Sequence, residues 1–196
     1  MTRLTIVILF ITMLCFSCSQ TGTSNSSTSV EKVLGENLSS TEHNNIRTAV
    51  LNELRNEILI TYGCNDGWSR VNMGPCGRFA KTFREEWNAR FKDTVNIVFM
   101  MKPDGSECNH ILIRLPDKNL FDAGLGVVSD SALHLIKTDN RFEDMETFDY
   151  ELLDKRAYGL NRSYPACPNY SDDLTKSLLQ RYFDKLSLQV NGRQTR

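Results

Sequence analysis

Phe79, Phe83, Trp87 and Phe91 recur at every fourth position, directly behind Gly74-Pro75-Cys76-Gly77. Rings at that interval share one face of an α-helix, and a face of that size has to be buried, so the chain needs a second layer to cover it. The turn formers ahead of the stripe place Cys76 at the N-terminus of this helix. An earlier helix is expected behind Ser39-x-x-Glu42, a capping-box pattern followed by Ile46, Ala49, Val50, Leu54 and Ile58 at helical spacing. Gly63 and Asn65-Asp66-Gly67 end it.

Downstream, the period changes. Val95 to Met101 and Cys108 to Leu115 are apolar, β-branched runs joined by Pro103-Asp104-Gly105, and a short run Leu120 to Asp122 follows the turn at Pro116-Asp117. These spell a three-stranded antiparallel meander. Alternation puts Cys108, His110, Leu112 and Arg114 on one face and Asn109, Ile111, Ile113 and Leu115 on the other. A mixed segment spans Phe148 to Tyr158, the acidic stretch from Asp139 to Asp149 reads as a solvated face, and a last helix starts at Ser171 with Leu174, Leu178, Tyr182 and Leu186. The fold class is α+β: N-terminal helices packed on a small antiparallel sheet, with a C-terminal helix.

Composition narrows the function. With 23 Lys and Arg against 24 Asp and Glu in 196 residues, the chain has no basic surplus to neutralise phosphates, and nucleic acid is not an expected partner. Without repeats, and with 11 Gly and 5 Pro, it is neither fibrous nor a solenoid.

At the N-terminus, Arg3 precedes an apolar stretch from Leu4 to Phe16 that closes on Ser17-Cys18-Ser19. Such a helix spans only about 20 Å against a hydrocarbon core of about 30 Å, so it reads as an export signal over 1–17 rather than a permanent anchor. The segment resembles a bacterial lipoprotein signal with Cys18 as the acylated residue, although Cys15 and Phe16 stand where such signals carry Leu and a small residue. Residues 18–29, nearly all Ser, Thr, Gly, Asn or Gln, read as a flexible tether. A single globular domain is expected over 30–188 with a tail over 189–196. The implied location is the bacterial cell envelope, membrane-anchored through Cys18, with secretion or a periplasmic location as the alternative.

The chemistry-bearing residues are Cys76 at a helix start, His110 on a strand and Asp122 at the end of the next. Free backbone N–H groups and the helix dipole favour thiolate at Cys76 and offer donors for an oxyanion. His110 can take up and return a proton, and Asp122 can orient the imidazole. Over Tyr62 to Val128, the order Gly74-Pro75-Cys76-Gly77-Arg78-Phe79-Ala80, His110 to Leu115 and Leu120-Phe121-Asp122-Ala123-Gly124 resembles the papain-like superfamily of cysteine hydrolases, particularly its transglutaminase-like and NlpC-type branches. The resemblance implies Cys76 as nucleophile, His110 as base and Asp122 as orienter. It implies a peptide or peptidoglycan stem-peptide substrate, and no metal or organic cofactor. The oxyanion glutamine of papain has no counterpart: Arg70 stands six residues before Cys76, with Trp68 and Asn72 nearby. The alternative is a non-catalytic lipoprotein of this fold that binds a partner.

Of the 6 cysteines, Cys64, Cys76, Cys108 and Cys167 remain beyond the signal. A disulfide between Cys64 and Cys167 is the preferred pairing, since both flank loops bordering the proposed cleft; a bridge to Cys76 would end the nucleophile reading. Cys108-x-His110 with Cys64, Cys76 or Cys167 is a minor zinc alternative that lacks paired ligand spacing. His43 and His134 read as structural, and the sequence leaves the oligomeric state open.

Overall fold

The computed structural model describes residues 39–64, 74–129, 140–161 and 163–191. The expected signal segment, Cys18, the tether, the domain start at Val30, and Trp68, Arg70, Asn72 and His134 lie outside them. The described chain is an α+β fold of four helices and a five-stranded antiparallel sheet. In chain order the elements are α1 (Ser40–Thr61), α2 (Cys76–Arg90), β1 (Asn96–Met101), β2 (Cys108–Arg114), β3 (Leu120–Asp122), β4 (Gly126–Val128), β5 (Arg141–Met145), α3 (Tyr150–Arg156) and α4 (Asp172–Asn191).

The capping box forms as its residues require: the Glu42 N–H donates to Ser39 Oγ and the Ser39 N–H donates to Glu42 Oε2 at 2.9 Å. From there Ile46, Val50, Leu51, Leu54 and Ile58 turn one face of α1 into the core. Phe79, Phe83 and Trp87 of α2 are buried as expected, while Phe91 caps the helix half-buried. Phe83 stacks on Trp87 at 5.7 Å and meets Phe183 of α4 edge-on at 5.0 Å, so the aromatic stripe is covered by α4 on one side and by Phe121 of the sheet on another. Truncating any one of these rings to Ala is worth about 3–5 kcal/mol. Helix α4 packs on both α1 and α2. It begins with Ser171 Oγ accepting the Leu174 N–H and runs on to Asn191, three residues into the expected tail, because Val190 still packs on the core.

The sheet order is β4-β3-β2-β1-β5, two strands more than the meander read from the sequence. Strand β4 is only three residues long. Strand β5, Arg-Phe-Glu-Asp-Met, lies in the stretch read as a solvated face; it is an edge strand, where charge on the outer side protects against further pairing. The expected face assignment also fails at one point. Met100 pairs with His110 and Met101 with Cys108, so Asn109 is an extra residue in β2, a β-bulge. Beyond it the parity reverses, and Cys108 joins Ile111, Ile113 and Leu115 in the helix-facing core while Asn109 is exposed. Val98, Leu112 and Leu120 form a smaller cluster on the opposite face.

Candidate active site

Cys76 is the first residue of α2, and the residue before it, Pro75, has no side chain able to cap the helix. The first intrahelical bond is from the Phe79 N–H to the Pro75 carbonyl at 2.8 Å, so the amides of Cys76, Gly77 and Arg78 have no acceptor within the helix. Gly77 is required by packing: a Cβ there would stand 2.6 Å from the Ala157 Cβ and 3.3 Å from Ile111 Cδ1. The end of α3 and strand β2 therefore press directly on the helix start. Beside it, the Arg78 guanidinium lies over the Tyr164 and Tyr170 rings and pairs with Asp172.

The tight spacing of β2 and β3 brings the next two residues together. His110 Nε2 and Asp122 Oδ2 are 2.6 Å apart, with side-chain exposures of 7% and 2%. The other carboxylate oxygen of Asp122 accepts the N–H groups of Gly124 and Leu125 at 2.6 and 2.8 Å, so the turn after β3 fixes the carboxylate rotamer. His110 Nδ1 is buried and has no partner at full hydrogen-bond geometry among the described residues. Cys76 is the remaining polar group acting on the ring, through hydrogen bonding first and charge second, in a looser contact than the one to Asp122. Loose thiol–imidazole contacts are common in sites without bound substrate.

The electrostatics follow from this order of groups. Burial by itself would raise the Cys76 thiol, but hydrogen bonding and charge from His110, with the Ile111 N–H, outweigh it and hold the thiol below its ordinary value. Burial would lower His110, yet the Asp122 carboxylate and then Cys76 raise it to about 10. Burial would raise Asp122, and the imidazolium together with the Leu125 and Gly124 amides lowers it. The three groups thus favour a thiolate–imidazolium pair backed by a carboxylate. Cys108 is the contrast: burial, then the nearby Cys76 charge, push its thiol up to about 11, and its Sγ donates to the His110 carbonyl at 3.2 Å.

Cys64 and Cys167 are joined by a disulfide, and Cys76 and Cys108 are free thiols. The bridge withdraws two ligands from the zinc alternative, and among the described residues no group of three His, Cys, Asp or Glu is placed to share a metal ion. His43 stands apart on α1, where it lines a cavity of about 410 Å³ with Arg47, Trp87 and Arg90. The sequence reading gave α1 no part in this site, yet Asn52 and Arg55 bond the turn that follows Asp122. Polar residues three apart on an amphipathic helix look like its solvent face, and nothing local marks them otherwise. No protein-family model matches this chain, and neither a curated protein nor a solved structure matches it.

Proposed function

We propose that the chain is a cysteine hydrolase of papain-like type that cleaves, or transfers, an amide bond in peptides or cell-wall peptides. The observation that carries this reading is the buried His110–Asp122 pair aimed at a free cysteine on an uncapped helix N-terminus. Burying an imidazole and a carboxylate together is costly, and stability alone gives little reason to keep such a pair beside a thiol. The disulfide agrees with an oxidising compartment, and the proposed location is the cell envelope, with the chain anchored through a lipid on Cys18.

The chemistry runs in two halves. The Cys76 thiolate adds to the substrate carbonyl carbon, and the resulting oxyanion is stabilised by the free amides at the start of α2. As the C–N bond breaks, the His110 imidazolium gives its Nδ1 proton to the leaving amine, and a thioester to Cys76 remains. His110, now neutral, takes a proton from water, whose oxygen adds to the thioester. The carboxylic acid departs and the thiolate–imidazolium pair returns; a second amine in place of water would complete a transfer instead. Asp122 keeps Nε2 protonated and Nδ1 facing the sulfur throughout.

The test uses the full-length chain and two readouts. The rate of Cys76 alkylation by iodoacetamide, followed by mass spectrometry across pH, is expected to show a thiolate well below the ordinary value of about 8.5, with a profile altered in His110→Ala. A mixture of purified muropeptides is expected to be cleaved by the wild type and not by Cys76→Ala. Ordinary thiol behaviour at Cys76 would overturn the reading and leave the same fold as a partner-binding lipoprotein.

A further inference from the structure

The turn that carries Asp122 is held from two sides. From inside, Asp122 Oδ1 accepts the amides of Gly124 and Leu125. From outside, α1 reaches across about 70 residues of chain. Arg55 Nε donates to the Gly124 carbonyl at 2.5 Å, and Asn52 Oδ1 accepts the Val127 N–H at 2.9 Å. The approach is so close that only glycine fits at position 126: its φ is +89°, and a Cβ there would come within 2.3 Å of Asn52 Oδ1. Gly124 is thus bonded through both its ends, its amide to Asp122 and its carbonyl to Arg55. Gly126 opens the β4 pairing opposite Asp122 itself, and Val127 follows opposite Phe121.

We infer that Asn52 and Arg55 are positioning residues for Asp122, pinning the 123–125 turn and the start of β4 from α1 so that one carboxylate oxygen stays engaged by the turn and the other stays on His110 Nε2. The inference rests on the Cys76–His110–Asp122 reading above. Without the brace, the carboxylate can rotate while the turn's two amides follow it or turn to water. A rotation of even one ångström away from Nε2 is enough to weaken a hydrogen bond of 2.6 Å. Both residues act through backbone atoms of the turn, so their effect is on where Asp122 points and not on any contact with substrate.

The discriminating readout is the titration of the His110 imidazole, followed by NMR in the full-length chain, whose 3 histidines can be told apart by substitution. The groups that set this titration are Asp122 on β3 and Cys76 on α2. In the wild type His110 is expected to titrate well above the ordinary value of about 6.5, and Asp122→Asn is expected to bring it down by at least about one pH unit. Asn52→Ala and Arg55→Met, which has no donor for the Gly124 carbonyl, are expected to lower it in the same direction by at least half as much. Asn52→Asp, which keeps an acceptor for the Val127 N–H, and Arg55→Lys, which keeps a donor for the Gly124 carbonyl, should restore it. Glu53→Gln, on the same helix but paired with Lys185, should leave it unmoved. The midpoint belongs to folded molecules, so partial unfolding does not mimic the effect, and Arg55→Met carries the test if Asn52→Ala does not fold. Wild-type titration in both Asn52→Ala and Arg55→Met, with Asp122→Asn shifted, overturns the brace alone. An equal shift in Glu53→Gln also overturns it. An ordinary His110 midpoint in the wild type, unchanged by Asp122→Asn, overturns the triad reading instead.

Discussion

Two side chains of β2, four residues apart, each bond a carboxylate on another strand: His110 reaches Asp122 of β3 at 2.6 Å, and Arg114 reaches across β1 to Asp144 of β5 at 2.6 and 3.0 Å. In distance they are alike, and in surroundings they are opposite. Arg114 and Asp144 are 21% and 34% exposed, so water screens the charges and supplies an alternative partner to each. His110 and Asp122 are enclosed, and each would be left with an uncompensated charge if the other were removed. The surface pair is a weak staple on the sheet. The inner pair is a liability for folding that makes sense once Cys76 is counted as its third member.

That contrast can be broken most forcefully at Asp122. Asp122→Ala strands the imidazole, and unfolding in urea is expected to show a loss of about 3–5 kcal/mol. The double variant His110→Leu/Asp122→Leu is expected to recover most of that loss or to exceed the wild type, while alkylation of Cys76 falls to that of an ordinary thiol. A double variant as unstable as the single one would mean that the pair holds the fold together after all.

A subtler separation comes from pH. His110 is raised, so its contribution to stability is fully present below the ordinary imidazole value of about 6.5 and is lost as pH climbs through about 10. Asp122 is lowered, so its contribution is present above about 3.9 and is lost as pH falls through its folded value. Urea unfolding between about pH 4 and pH 10, with the Leu/Leu double variant as baseline, should show the wild type declining relative to it at the alkaline end. A flat difference over that range would remove the coupling. Smallest of all is the surface pair: Arg114→Ala is expected to cost under about 1 kcal/mol, and less at high salt.

The inner pair was also the more legible of the two in the sequence. His110 and Asp122 are separated by twelve residues and a tight turn, and two adjacent antiparallel strands must bring such residues close. Local signals likewise sufficed for α1, through Ser39 and Glu42, and for α2, through its rings. Features that depend on a partner far along the chain were hidden. Strand β5 looks like a charged loop until β1 is beside it, since three of its five residues, Arg141, Glu143 and Asp144, are charged. The bulge at Asn109 exists only in the register against Met100 and Met101, so no alternation rule applied to β2 alone could find it. The brace from Asn52 and Arg55 joins positions about 70 residues apart, and a helix pattern does not say which loop its polar face will meet.

The disulfide from Cys64 to Cys167 spans 103 residues, and Cys76, His110 and Asp122 all fall between its ends. The chain there is a closed ring with α1 and α4 as its two exits. Cutting one peptide bond anywhere in the ring opens it but frees nothing, because the pieces bearing the cysteine and the aspartate remain one covalent molecule with both helices. While the disulfide is intact, a protease must cut the ring twice before any part of the sheet can leave.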